Sequence, residues 1–183
     1  MIPTRRLAPL LLFPAAALVL SGCSATASGE RAESTGLSVV ASTNVYGSIA
    51  EAIGGDSVTV TSIIDSAAQD PHSYEASAQD QLAISKADVV IENGGGYDPF
   101  IDTLVDASGS DDLEMVNVVD LSGRAPVDEG DSDPHEHEEG DGHEHTEGLN
   151  EHVWYDLAAA DALASALAHV FSHLDETNAA VYA

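Results

Sequence analysis

The chain has 183 residues, 32 acidic against 5 basic side chains, and a net charge of −27 with histidine neutral. That length holds one domain of ordinary size and leaves no room for a large enzyme. The charge balance lacks the basic footprint that neutralises phosphates, so it excludes nucleic acid as a partner, while a field of this sign draws in cations.

The N-terminus carries an export signature. Arg5 and Arg6 precede an apolar run from Leu7 to Leu20 that is too short, and too interrupted by proline, to span a bilayer comfortably. Residues 1–22 therefore read as a secretory signal. The run ends in Leu20-Ser21-Gly22-Cys23, which resembles a bacterial lipobox, with Cys23 as the lipid acceptor. Cys23 is the only cysteine, so no internal disulfide is open to it. Several acyl chains at this position would anchor the protein durably to the outer side of the cell membrane. Residues 23–36 are small and polar, without periodic apolar residues, and form a tether.

From Leu37 onward the pattern becomes that of a folded lobe. Leu37 to Ser42 is a β-prone run, and Val45 to Ile53 follows at helical spacing with a Gly54-Gly55 stop. Ser57 to Ile64 alternates as a second strand, and Ser77 to Ala87 is helical, with Leu82 and Ile84 as its larger apolar residues. Val89 to Ile91 is a short buried strand stopped by Asn93 and three glycines. Asp98 to Ala107 reads as a helix with Pro99 in its first turn, and Met115 to Val119 as a fourth strand. The insertion 122–148 is dominated by Asp, Glu, Gly and His and has nothing to bury. Leu157 to Leu174 is an amphipathic helix through Leu163, Leu167, Val170 and Phe171, and a second helical pattern starts near Glu176. Strands alternating with helices predict an α/β fold, a parallel sheet flanked by helices, because parallel neighbours need a crossover between them.

In such sheets ligands bind beyond the carboxyl ends of the strands. The segments following the predicted strands are Thr43-Asn44, Asp70-Pro71-His72, Asn93-Gly94-Gly95-Gly96, and the insertion leading to Glu151-His152. A lone histidine after a strand is more often a hydrogen-bonded loop residue than a ligand. Two imidazoles at neighbouring strand ends, His72 and His152, can converge on one ion, and imidazole suits zinc, copper, iron and nickel. Trp154 and Tyr155 are placed to pack against the His152 ring. Asn44 reads as a cleft-lining residue, and Glu75 as a partner of the histidine or a helix cap. His169 and His173, four apart on the last long helix, read as the polar margin of a packed helix. The glycine run lacks the GxGxxG spacing of a dinucleotide site, and a tight turn explains it.

Taken together, Asp70-Pro71-His72-Ser73-Tyr74-Glu75, Ala87-Asp88-Val89-Val90, Asn93-Gly94-Gly95-Gly96-Tyr97-Asp98 and Glu151-His152-Val153-Trp154-Tyr155-Asp156 resemble the zinc and manganese substrate-binding proteins of ABC transporters. The resemblance covers 37–183 apart from the insertion. It implies two α/β lobes joined by a long helix, which clamp one ion between them. Two histidines come from the first lobe, mapping onto His72 and His152, and two further ligands from the second. It further implies an N-terminal lobe over 37–154, helices over 155–183 with the inter-lobe helix beginning near Glu176, and a second lobe beyond this chain.

Zinc-handling members commonly carry a His-rich acidic loop at the place of the insertion. Here His135, His137, His143 and His145, four of the chain's eight histidines, are interleaved with Glu136 and Glu144. Such pairs can chelate zinc loosely as an auxiliary site. Histidine-rich ligation favours Zn2+ as the transported ion, with Mn2+ as the alternative. The implied partners are an ABC permease, its ATPase and, through the lipid, the membrane. A metal-buffering or adhesion lipoprotein using the same site is the rival reading. A zinc hydrolase is disfavoured, since there is no His-Glu-x-x-His helix and no third histidine placed after a strand.

Overall fold

A computed structural model describes residues 36–124 and 149–183. The expectations for 1–35, including Cys23, and for His135, His137, His143 and His145 lie outside the described residues.

Four strands, β1 (Leu37–Thr43), β2 (Val58–Ile64), β3 (Val89–Glu92) and β4 (Glu114–Asn117), form one wholly parallel sheet in the order β2-β1-β3-β4. Between and after them come α1 (Asn44–Gly54), α2 (Ala78–Ile84), α3 (Phe100–Ser108), the short α4 (Val118–Leu121) and α5 (Leu157–Leu174). The alternation of side chains along the central strands divides the apolar residues into two cores. Val39, Ala41, Val89 and Ile91 face Tyr46 and Ala50 of α1 and Leu163, Leu167 and Phe171 of α5. Val40 and Val90 face Ile84 of α2 and Phe100, Ile101 and Leu104 of α3. Each fully buried Val, Ile or Leu contributes roughly 1.5–3 kcal/mol of transfer free energy, so the sheet is held from both sides.

Strand order reverses between β1 and β3: the chain proceeds from β1 outward to β2, and from β3 outward to β4. This is a topological switch point, where the loops leaving two adjacent strands diverge and open a crevice. The expected α/β architecture is therefore present, with its crevice beyond the ends of β1 and β3.

Several boundaries differ from the sequence expectation for local reasons. α2 starts after Ser77, whose hydroxyl and the Asp80 carboxylate form a reciprocal capping box, and it ends at Ile84; Ile84 is in the core, but Leu82 is 52% exposed. β4 stops at Asn117 because the Asn117 side chain accepts from Asp120 N at 3.1 Å and starts a helical turn, so Val118 and Val119 enter the core from α4. The helix expected from Glu176 is a series of turns. There the Asp175 carboxylate accepts from Asn178 Nδ2 at 2.7 Å and Tyr182 OH at 2.9 Å, and Tyr182 is buried against Phe171. These local bonds compete with helical ones. Among the described residues α5 is long and apolar enough to cross a membrane by composition, but its Ala159, Leu163, Leu167 and Phe171 stripe is in the core.

Candidate metal site

His72 and His152 are presented by the same device. Asp70 Oδ1 accepts from His72 N at 3.1 Å and lies 3.0 Å from Nδ1 of the same ring. Asn150 Oδ1 accepts from His152 N at 3.1 Å and lies 3.1 Å from its Nδ1. Each histidine is thus the third residue of an Asx-x-His turn that joins a single 3-10 turn, Pro71–Ser73 in one case and Val153–Tyr155 in the other. Buried Pro71 and Val153 seat the two turns. Because a backbone N–H donates to Asn150 Oδ1, that atom is an acceptor, and His152 must carry its proton on Nδ1. In the neutral imidazole this leaves the lone pair on Nε2, the state a metal requires.

The His72 ring differs in its second partner. Its Nε2 lies 2.7 Å from Glu151 Oε1, so a carboxylate meets each ring nitrogen. Ionised carboxylates only accept, so the two contacts favour the doubly protonated ring. Burial by itself lowers the His72 pKa, but the bonds to Asp70 and Glu151 outweigh it and the net shift is upward. Asp70 is lowered in turn, chiefly by its bonds to the His72 ring and backbone.

The His152 turn is tied to the switch point. Asn93, fully buried at the end of β3, donates from Nδ2 to the Glu151 carbonyl at 2.9 Å and accepts on Oδ1 from the Tyr46 hydroxyl. Asn93 N and Gly94 N donate to the buried Asp98 carboxylate at 2.7 and 2.9 Å. Burial pushes the Asp98 pKa up and the Tyr46 pKa up. Gly94, Gly95 and Gly96 all have positive φ, 77°, 65° and 87°, which only glycine adopts without strain. Their turn delivers Tyr97 to a place between the histidines, with ring centroids 5.0 Å from His72 and 6.1 Å from His152. The Trp154 ring lies 4.6 Å from Tyr97 and 5.0 Å from His152, tilted to both, whereas Tyr155 is 81% exposed and rests beside Trp154.

Asn44 lines an adjoining groove of about 360 Å³ with Thr43, Gln69, Pro71, Tyr97 and Trp154, and donates to the Asp65 carbonyl at 3.3 Å. Glu75 is exposed, and the cap of α2 is Ser77 in its stead. Glu151, Asn93, Tyr97 and Asp98 belong to the site although the reading from sequence gave them no role; all four stood in the quoted motifs. Among the described residues, no three His, Cys, Asp or Glu side chains are arranged to hold an ion by themselves. The arrangement fits a partial coordination shell: two oriented imidazoles on one rim, needing further donors from elsewhere.

A separate recess of about 560 Å³ lies along β4 between α3 and α5, lined by Glu92, Asp102, Asp106, Glu114, Asn117 and Asp120 among others. Glu92, at the end of β3, accepts from Asn117 Nδ2 at 2.9 Å. Burial, reinforced by the charges of Asp102 and Asp98, pushes its pKa up to about 7.

Known proteins carry the same lobe. Over 120 residues the chain is 34% identical to the manganese-binding lipoprotein MntA of Halalkalibacterium halodurans, covering 65% of this chain and 39% of that protein. It is 32% identical over 137 residues to the manganese ABC transporter substrate-binding lipoprotein ScaA of Streptococcus gordonii, covering 69% and 43%. The Mn-bound periplasmic metal binding protein of Candidatus Liberibacter asiaticus superposes with a TM-score of 0.60 at 26% identity, over 79% of this chain and 48% of that one. The chain thus spans about two fifths of the length of these curated relatives. Residues 39–183 match the profile of ZnuA, described as zinc-uptake complex component A, periplasmic, and the chain belongs to that family.

Proposed function

We propose that this chain supplies the ion-capturing N-terminal lobe of an extracytoplasmic substrate-binding lipoprotein, which loads a divalent metal and hands it to an ABC permease driven by its ATPase. The observation that carries this reading is the duplicated Asx-x-His turn, which orients His72 and His152 on one rim of the switch-point crevice. The metal is cargo, and no residue has a catalytic role. Capture begins at His152 and is completed when the ion displaces the Glu151 carboxylate, and any proton it holds, from His72 Nε2. Tyr97 and Trp154 keep the two rings from turning.

We assign the segments as signal peptide 1–22, tether 23–36 anchored through lipidated Cys23, lobe 37–154, and 155–183 leading toward a second lobe that would add the remaining donors. The cargo assigned is Zn2+, supported by the two imidazoles and by the family's description. Mn2+ is the second reading, favoured by the manganese-named relatives. His135, His137, His143 and His145 would gather ions beside the crevice.

The test is zinc titration by calorimetry, with manganese as competitor, on the chain from Ser24, its His72→Ala/His152→Ala variant and a form lacking 125–148. Binding that survives loop deletion and fails in the double variant is the expected result. Binding that the double variant retains in full would overturn the assignment of the site, and equimolar manganese displacing zinc would reassign the cargo.

A further inference from the structure

The outer face of α5 carries a histidine pair that the crevice does not use. The core side of this helix is Ala159, Leu163, Leu167 and Phe171. At about 100° per residue, His169 and His173 lie roughly 200° and 240° round the axis from Leu167, both outside the buried stripe. Both are exposed, on a helix whose opposite side is packed in the core. They continue a line of exposed polar residues at four-residue spacing, Asp161, Ser165, His169 and His173. Ala166, one turn before His169, is too short to screen it.

Side chains four apart on a helix have Cβ atoms about 5–6 Å from one another, within the span of two imidazoles that share an ion at metal–nitrogen distances of about 2.0–2.1 Å. The local field also favours a cation. His173 is in the last turn of α5, where the carbonyl end of the helix carries partial negative charge, and Asp175 and exposed Glu176 follow directly.

We propose that His169 and His173 form a second transition-metal site, exposed on α5 and independent of the crevice. Two neutral imidazoles, with water completing the shell, select ions that prefer nitrogen, Cu2+, Ni2+ and Zn2+, over Mn2+. The site would hold ions more weakly than a closed crevice and exchange them freely.

The chain has eight histidines, so replacing His72, His135, His137, His143, His145 and His152 by alanine leaves this pair as its only imidazoles. Titrated with Ni2+ alone, that background should bind about one ion per chain, and either His169→Ala or His173→Ala should weaken binding at least about tenfold. Equal Ni2+ binding by the background and its His169→Ala/His173→Ala derivative would overturn the proposal, as would Mn2+ binding as tightly as Ni2+. If the background does not fold, the measurement is the number of Ni2+ ions bound at saturation by the otherwise intact chain. The double variant at 169 and 173 should bind one fewer, and an unchanged count overturns the proposal. A loss confined to this count, with crevice binding intact, separates failure here from failure of the transport reading.

Discussion

Asp70 and Glu151 place a carboxylate oxygen on each ring nitrogen of His72, at 3.0 and 2.7 Å, and so favour its protonated form. His72 is raised in pKa despite the opposing effect of its burial, so a divalent ion competes with a proton for Nε2. Metal affinity should therefore fall as pH drops through the raised His72 range. Glu151→Gln should lower the His72 titration midpoint followed by NMR of its ring proton, and an unmoved midpoint would remove Glu151 from this role. Glu92 gives a second pH effect with the opposite chemistry. Its carboxyl pKa is raised to about 7 by burial and by Asp102 and Asp98, so the folded state binds its proton more tightly than the unfolded state. The associated stability is full below the unfolded carboxyl value and is lost as pH rises toward 7. Glu92→Gln should flatten that decline and add on the order of 1–3 kcal/mol above pH 7 in denaturant unfolding, since the amide oxygen still accepts from Asn117.

At the scale of elements, the crevice depends on how β3 ends. Asn93 joins the end of that strand to Tyr46 of α1 and to the carbonyl of Glu151, so one buried amide connects three segments distant in sequence. Asn93→Ala leaves the Tyr46 hydroxyl and the Glu151 carbonyl without these partners. It should cost about 1–3 kcal/mol in thermal or denaturant unfolding and weaken metal binding through misplacement of the His152 turn. Ser77→Ala should cost about 1 kcal/mol by removing the capping box of α2, with little effect on metal affinity, because α2 packs on the other face of the sheet. Helix and strand identity were legible wherever apolar periodicity is strong, as in α5, whose span matches its apolar pattern residue for residue. Legibility failed where a side chain bonds to its own backbone: Asn117 ends β4 early, and Asp175 turns the chain where a helix was expected. Such bonds leave no periodic signal.

For the whole molecule, the net charge of −27 sets how it meets ions. An acidic field accelerates cation capture and is screened beyond about 10 Å at 0.1 M salt. The zinc association rate should therefore fall several-fold between about 10 mM and 300 mM salt in stopped-flow measurements, with a smaller change in the dissociation rate. A salt-independent association rate would confine capture to the crevice itself. By itself, the sequence determined that the chain is a parallel α/β lobe, and it singled out His72 and His152 as the candidate ligand pair. Periodicity and motif spacing encode these, since strands and helices bury fixed faces. Only the tertiary structure decided that Asn93 anchors both sides of the switch point, that Glu151 meets His72 across 79 residues of sequence, and that Tyr97 stands between the histidines. Those relations depend on strand order and on hydrogen bonds between distant segments, and a linear pattern carries neither.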